Sequence, residues 1–364
     1  MRIHYDHQVF SLQNAGGASR YQYELLRYLS SVPDVRPSLF LGLHHMAYPF
    51  AELPGVRGWR APLPPGSLRY GLNEALESAA TLGAGRYDIY HPTYFRRMPA
   101  IRARRVVTTH HDSTYEELPH LFPDASSIMR YKTRLYSRVD KVICISEASR
   151  RGVLQFYPVR PEQTSVVYHG LTPMPRSAAA ASELKSQIRR DFLLYVGARN
   201  AHKNFPAFLE AFRTSRLPGA FDLLCLGGGP LTQCEMDLLQ KCKLQDCVRC
   251  LPSVTDELLG EAYAAAVLFV YPSLSEGFGM PPLEAMSAGC PVAASNLAAI
   301  PEVCLDAPFY FDPRDPASIA STLCTAINDS DARVRAIRRG HEVAARYSWE
   351  RCGAETLAVY RACF

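Results

Sequence analysis

No run in the 364-residue chain approaches the roughly 20 apolar residues that a membrane-spanning helix needs, although 48% of residues are hydrophobic. The opening MRIHYDHQVF has no basic stretch followed by a long apolar core, so no secretory signal is expected there. Cysteine shows no disulfide pattern. The 11 thiols are odd in number and scattered, which suits buried reduced thiols and a cytosolic setting. The one C-x-x-C pair, Cys247 and Cys250, has no second pair or C-x-x-H to complete a zinc tetrad, and it falls in an expected strand. Gly227-Gly228-Gly229 lacks the spacing of a dinucleotide fingerprint, which argues against a hydride-transfer cofactor. Asp329-Ser330-Asp331 has the form of a metal-binding D-x-D. It lies between two late helical patterns, away from any strand end, and reads as a helix cap. Neither a metal nor another cofactor is expected. Internal repeats are missing, and the only low-complexity tract is one AAAA run.

Acidic residues are short in one half only. The net charge is +5, and residues 1–172 hold 21 of the 40 Lys/Arg but 14 of the 35 Asp/Glu. That imbalance suits an anionic partner such as a membrane surface or an acidic acceptor, and equally an ordinary solvated surface.

Short apolar runs alternate with helical patterns in both halves, which implies parallel sheets with crossover helices. The first half reads as strands near 3–6, 38–41, 88–91, 106–110, 142–145 and 166–168, with helices near 18–31, 68–80, 127–138 and 147–156. The second half reads as strands near 193–197, 222–226, 248–250, 268–271 and 292–294. The expected division is a first domain over 1–172, a Pro/Ala/Ser-rich linker over 173–190, a second domain over 191–347, and a helix over 348–364. Open parallel sheets bind ligands at their strand C-termini, so two of them suggest a substrate held between domains.

Four segments at strand ends carry the candidate chemistry. In Tyr271–Cys290 (YPSLSEGFGMPPLEAMSAGC) a strand ends, a glycine loop follows, and a helix starts near Pro281-Pro282 and stops at Gly289. Backbone amides of the loop and helix start can converge on an anion such as a diphosphate. Glu276 lies in the loop, where a carboxylate can accept from sugar hydroxyls. Glu284 is expected in the first helical turn, where it can hold ribose hydroxyls or simply complement the helix dipole. In Tyr195–Asn204 a strand ends at Gly197, and Arg199 and Lys203 precede a helix that Asn204 would cap. Two cations there can neutralise a leaving diphosphate, or can be ordinary loop cations. Thr108-Thr109-His110-His111-Asp112 ends a strand, and alternation alone does not say which histidine faces a ligand. Asn14-Ala15-Gly16-Gly17 joins the first strand to the first long helix, and Gly16 and Gly17 let backbone approach a ligand or merely form a turn.

Glu276-Gly277-Phe278-Gly279-Met280-Pro281-Pro282-Leu283-Glu284-Ala285-Met286, continuing to Gly289, Pro291 and Val292, resembles the signature of glycosyltransferase family 4. The resemblance spans nearly the whole chain. It includes the R-x-x-x-K loop of Arg199 and Lys203, a T-x-H-D at Thr109–Asp112 with a downstream P-x-L-F-P at Pro119–Pro123, and Ile143–Gly152 with Pro161–Gly170. It implies an α/β GT-B fold, with two Rossmann-like domains facing each other across a cleft and a C-terminal helix that returns to the first. It implies that Glu276 contacts the donor sugar, Glu284 the ribose, and the backbone of Gly277, Phe278, Gly279 and Met280 the sugar and phosphate. Arg199 and Lys203 would meet the diphosphate, His111 the sugar near the reacting carbon, Gly16, Gly17 and Gly197 the donor, and Val254 the base.

The implied activity is retaining transfer of a hexose from a nucleoside diphosphate sugar to a hydroxyl of a glycan or lipid-linked acceptor. The start YDHQVFSLQNAGGASRY and the R-x-x-x-K-N loop resemble bacterial polysaccharide mannosyltransferases. They point to GDP-mannose, with a UDP-hexose as the alternative, and to work in polysaccharide or lipopolysaccharide synthesis at the cytoplasmic face of the inner membrane. A phosphorylase, a sugar epimerase or a non-catalytic nucleotide-binding module could share the architecture. Nucleic acid is not an expected partner.

Overall fold

The computed structural model describes residues 1–14, 16–61, 66–96, 101–199 and 201–364. Ala15 and Asn200, which fall in two of the candidate loops, lie outside the described residues. The chain forms two compact units. The first is Met1–Gly170 with Ser348–Phe364, and the second is Leu171–Tyr347.

The first unit is built on seven parallel strands: β1 (Arg2–Tyr5), β2 (Arg36–His44), β3 (Val56–Arg60), β4 (Tyr87–His91), β5 (Ala103–His110), β6 (Lys141–Cys144) and β7 (Thr164–Val166). Their order is β3-β2-β1-β4-β5-β6-β7. The second unit has β8 (Phe192–Val196), β9 (Asp222–Leu226), β10 (Val248–Leu251), β11 (Leu268–Tyr271), β12 (Val292–Ser295) and β13 (Phe309–Phe311), in the order β10-β9-β8-β11-β12-β13. Counted from its own first strand, each sheet follows the doubly wound order 3-2-1-4-5-6, and its direction reverses between β1 and β4 or between β8 and β11. Ligands in such sheets bind beyond the strand C-termini at that reversal.

Three expectations change. The strand expected at 166–168 ends at Val166, although Val167 N–H still donates to the Cys144 carbonyl at 2.9 Å. The stretch read as a linker carries the helix Ala178–Gln187. Its AAAASELKSQ sequence has strong helix formers, and the Ser177 hydroxyl caps it by accepting from Ala180 N–H. Buried Ala180 and Leu184 make it part of the second unit's packing. Asn204 stands at the N-cap position of Phe205–Thr214 with a left-handed φ of 59°, but its side chain does not cap. Its amide donates to the Pro313 carbonyl at 2.6 Å instead.

The interiors differ in chemistry. The second unit's core is apolar, centred on Leu193, Phe208, Leu209, Leu223 and Leu268. The first unit buries charge-bearing groups beside its apolar residues. The Ser67–Thr81 helix turns Arg69, Tyr70, Asn73 and Glu77 inward. Arg69 donates to the Ser11 carbonyl (3.1 Å) and to Asn14 Oδ1 (3.0 Å), and Asn73 exchanges hydrogen bonds with the Leu43 backbone. Glu77 lies 3.0 Å from His4 Nε2. The Ser38 hydroxyl donates to the Ile3 carbonyl, so His4 Nδ1 must donate to Ser38, and His4 Nε2 then accepts from a protonated Glu77. The burial effects agree. Burial, then the Asp6 and Glu74 charges, pushes Glu77 up to about 10, and burial pushes His4 down to about 4.

The C-terminal helix Trp349–Arg361 belongs to the first unit. The Tyr360 hydroxyl bonds His91 Nδ1 (2.5 Å) and the Tyr5 hydroxyl (2.7 Å), both buried. At Gly353 a side chain would collide with the Tyr28 ring, at 2.3 Å.

Candidate active site

In the second unit, the two loops at the sheet reversal hold most of the candidate residues. β8 ends at Val196, and the chain turns through Gly197 at a φ of +123°, which favours glycine. The Ala201–Lys203 turn then brings Lys203 beside the β11 loop, where Leu274 N–H donates to the His202 carbonyl at 2.8 Å. The Lys203 ammonium donates to Glu276 Oε1 at 2.5 Å. The Tyr271 hydroxyl donates to the same oxygen at 2.6 Å, and the ammonium also lies 5.5 Å from the Tyr271 ring centre. Burial, followed by the Glu276 charge, pushes the Tyr271 phenol well above its usual range, so it stays a donor. Both bonds fall on Oε1, which leaves Oε2 without a protein partner among the described residues.

Arg199 has a different role from the expected loop cation. Its side chain is only 3% exposed and clamps a neighbouring loop. Nε donates to Glu235 Oε1 (2.6 Å), Nη1 to the Gly227 carbonyl (2.8 Å), and Nη2 to the carbonyls of Gly229 (2.9 Å) and Pro230 (3.1 Å). The three glycines have φ near +80°, which turns successive carbonyls onto the guanidinium. Two of their amides are already used, Gly227 N–H by the Leu251 carbonyl and Gly229 N–H by that of Pro252. The glycine run is therefore an arginine-binding loop. Glu235 also closes a capping box with Thr232. Burial alone would raise its carboxyl, but the bonds from Thr232 and Arg199 outweigh that and hold it below the usual range.

The Glu276–Glu284 segment divides into backbone and side-chain roles. Gly279 has a φ of +101°, and a Cβ there would lie 2.5 Å from Ile300 Cδ1. It precedes the helix Met280–Ser287. Pro281 and Pro282 have no N–H, so amides able to meet an anion come from the loop, from Met280 and from Leu283. Phe278 is buried, with its ring edge-on to Tyr347 at 5.5 Å, and offers backbone only. Glu284 is the fifth helical residue, one beyond the first turn where it was expected, so the helix dipole is a weaker reason for it. It is buried and accepts from the Tyr263 hydroxyl at 3.2 Å. Val254 is half-buried in the loop before the Asp256–Ala265 helix, which Thr255 caps.

In the first unit the two histidines separate. His110 is buried with both ring nitrogens bonded, Nδ1 to the Tyr136 hydroxyl (2.6 Å) and Nε2 to the Ser113 hydroxyl (3.0 Å). His111 Nε2 is buried with no partner among the described residues. Its ring stands edge-on to Tyr21 (5.6 Å) and 5.8 Å from the ring of His169. Burial pushes His111 down to about 4, so at neutral pH it is an uncharged hydrogen-bonding group. Tyr21 belongs to the helix Gly17–Ser30, which starts directly after Gly16. Space beside Gly17 is open, whereas a Cβ on Gly16 would meet Gln13 Oε1 at 2.5 Å. Tyr21, Tyr263, Tyr271, His169 and Glu235 were not singled out from the sequence. Only Glu235 had a local signal, the T-x-x-E capping box.

Residues 15–173 match the family model "Glycosyltransferase Family 4", and residues 180–343 match "Glycosyl transferases group 1". O-antigen chain mannosyltransferase B of Escherichia coli is 32% identical over 286 residues, covering 75% of this chain and 74% of that one. Sucrose-phosphate synthase of Thermosynechococcus elongatus superposes with a TM-score of 0.80 at 20% identity, over 99% of this chain and 98% of that one. Anabaena HepE in complex with UDP-glucose gives a TM-score of 0.73 at 19% identity, over 98% and 99%. With two doubly wound units and these matches, the chain belongs to the GT-B glycosyltransferases. Within them it resembles the bacterial polysaccharide mannosyltransferases.

Proposed function

We propose that this glycosyltransferase moves a hexose with retention, favouring mannose from GDP-mannose, onto a hydroxyl of a glycan or lipid-linked acceptor in polysaccharide synthesis. The observation that carries this reading is the Lys203–Glu276–Tyr271 cluster at the β8/β11 reversal. Glu276 Oε2 is free to take a sugar hydroxyl, while Oε1 holds Lys203 in place. As the bond between the anomeric carbon and the diphosphate breaks, negative charge grows on the leaving oxygen. The Lys203 ammonium and the Gly277–Met280 amides are the donors suited to meet it. Glu284 takes the ribose, Val254 lies beside the base, and neutral His111 orients the sugar by hydrogen bonding. Arg199 acts by fixing the Gly227–Pro230 loop. Because the ammonium and amides supply the electrostatic stabilisation, the reaction needs no metal.

The donor preference rests on likeness to mannosyltransferases, and HepE, whose structure holds UDP-glucose, makes a UDP-hexose the second reading. Thermal-shift screening with GDP, UDP, ADP and their sugars tests the donor, and GDP with GDP-mannose is expected to give the largest shift. Anomeric proton couplings of the product test retention, and an inverted product would sink that part. EDTA tests metal independence, and activity lost to EDTA and restored by Mg²⁺ would contradict it.

A further inference from the structure

The Ser67–Thr81 helix is turned inside out. Its inward face is Arg69, Tyr70, Asn73 and Glu77, all held by bonds within the first unit. Its outward positions are leucine, alanine, glycine and serine, with no charge among the exposed ones. Leu68, Leu72 and Leu76 repeat every four residues along one stripe and are 66%, 42% and 39% exposed. Leu82, just past the helix, is 82% exposed. A helix that faces only water puts charge on that side, so a stripe of this kind marks a covered surface.

The stripe ends at a basic hollow. A cavity of about 780 Å³ is lined by Leu82, Arg2, Arg36 and Arg57, with no Asp or Glu in its walls. Arg2 donates to the Ala84 carbonyl (2.9 Å), and Arg36 to the carbonyls of Pro33 and Val35. Carbonyls leave the charges uncompensated, and among the described residues none of the three guanidinium groups pairs with a carboxylate, although the Arg2 backbone N–H donates to Asp88 Oδ2 at 2.8 Å. Arg2 opens β1, Arg36 opens β2, and Arg57 lies near the start of β3. The hollow is therefore at the strand N-termini, the end of the sheet away from the site where doubly wound folds bind nucleotides.

We infer that the leucine stripe and the arginine hollow together form a surface that docks on an anionic lipid bilayer. The leucines enter the acyl boundary, and the arginines meet lipid phosphates. Charge complementarity selects a lipid over a second copy, because an identical copy would bring three arginines against three. Contact would be peripheral, since no helix among the described residues is long and apolar enough to cross a membrane. The inference rests on the proposed lipid-linked acceptor only for the presence of a membrane, and its test needs no turnover.

The full chain is sedimented with vesicles of phosphatidylcholine alone or mixed with phosphatidylglycerol. Binding is expected to the mixed vesicles and to weaken as salt rises. Leu72→Ser with Leu76→Ser, and separately Arg36→Glu with Arg57→Glu, should each weaken it at least about tenfold without lowering the melting temperature. Val334→Ser, which removes an exposed apolar residue of the second unit, should leave it unchanged. Three results would overturn the inference. One is equal or no binding to the two vesicle types, and another is wild-type binding by the leucine variant. The third is lipid-free self-association that the leucine variant abolishes, which would make the surface a dimer interface. Vesicle binding without sugar transfer would count against the proposed function alone. Transfer to a soluble acceptor without vesicle binding would count against this surface alone.

Discussion

The two units share one strand order but are held together by different chemistry. The second unit centres on buried leucine and phenylalanine and gathers Arg199, Lys203 and Glu276 in loops at the sheet reversal, though it also buries Asp222, Glu261 and Glu284. The first buries His4, His91, His110 and His169 together with Asp6, Arg69 and Glu77. Strand order is thus set by topology and handedness, while the interior tolerates polar groups, most of them held by a partner. The difference also separates two kinds of vulnerability. The second unit should respond to changes at its site, and the first to changes of pH.

The largest expected effect is on catalysis. Glu276→Ala or Lys203→Ala should each lower transfer by about two to three orders of magnitude, with the melting temperature within a few degrees of wild type. Steady-state kinetics beside a thermal melt checks this, and near-wild-type turnover in either variant would remove the cluster from the mechanism.

Acid should come next and should fall on the first unit. Burial lowers His4 to about 4, His91 to about 3 and His111 to about 4, and His110 and His169 shift the same way. A buried neutral histidine binds its proton less readily folded than unfolded. Its stabilisation is therefore complete above the unfolded value near 6.5 and is lost as pH falls toward the folded values. Each such histidine is worth on the order of 1–3 kcal/mol by pH 4. Hydrogen exchange between pH 7 and pH 4.5 should show the first unit losing protection before the second. Simultaneous loss would mean that the histidines do not set acid stability.

Arg199→Ala should act on stability as well as transfer. It strands Glu235 and frees the glycine carbonyls, at a cost of about 1–3 kcal/mol, whereas Lys203→Ala should leave stability nearly intact. Comparative urea melts test whether Arg199 is a loop clamp. The smallest effect is expected from Glu77→Gln. The protonated Glu77 already donates to His4, and glutamine can donate in the same place. The raised Glu77 pKa means that the wild type loses stability as pH rises above the unfolded value near 4.5, a dependence the glutamine variant lacks. The variant should be within about 1 kcal/mol of wild type near pH 4.5 and should gain steadily on it as pH rises to 8. A large loss at both values would show that an ionised Glu77 is required.

Features confined to one segment were legible in the sequence. Strands Asp222–Leu226 and Leu268–Tyr271 and the helix Glu147–Phe156 lie where their apolar patterns put them. β3 and β13 were not read. Val56–Arg60 is an edge strand whose side chains are mostly exposed, and Phe309–Phe311 has only three residues, so neither shows a clear pattern. The E-G-F-G loop was visible, but its partners were not. Tyr271 meets Glu276 through a turn of the backbone, and Arg199 reaches Glu235 and a glycine run roughly thirty residues away. Likewise, no spacing rule shows that Tyr136 and Ser113 occupy His110 and leave His111 free. Such contacts depend on which strands become neighbours.

The helix Trp349–Arg361 has a consequence for the order of synthesis. Tyr360, which bonds both His91 and Tyr5, is made only after the whole second unit. During translation the second unit is complete while the first still lacks a helix, so the unit begun first is finished last. Until that helix emerges, His91 Nδ1 and the Tyr5 hydroxyl of the nascent first unit lack their Tyr360 partner, and a ribosome stalled after residue 347 would carry one finished unit and one unfinished.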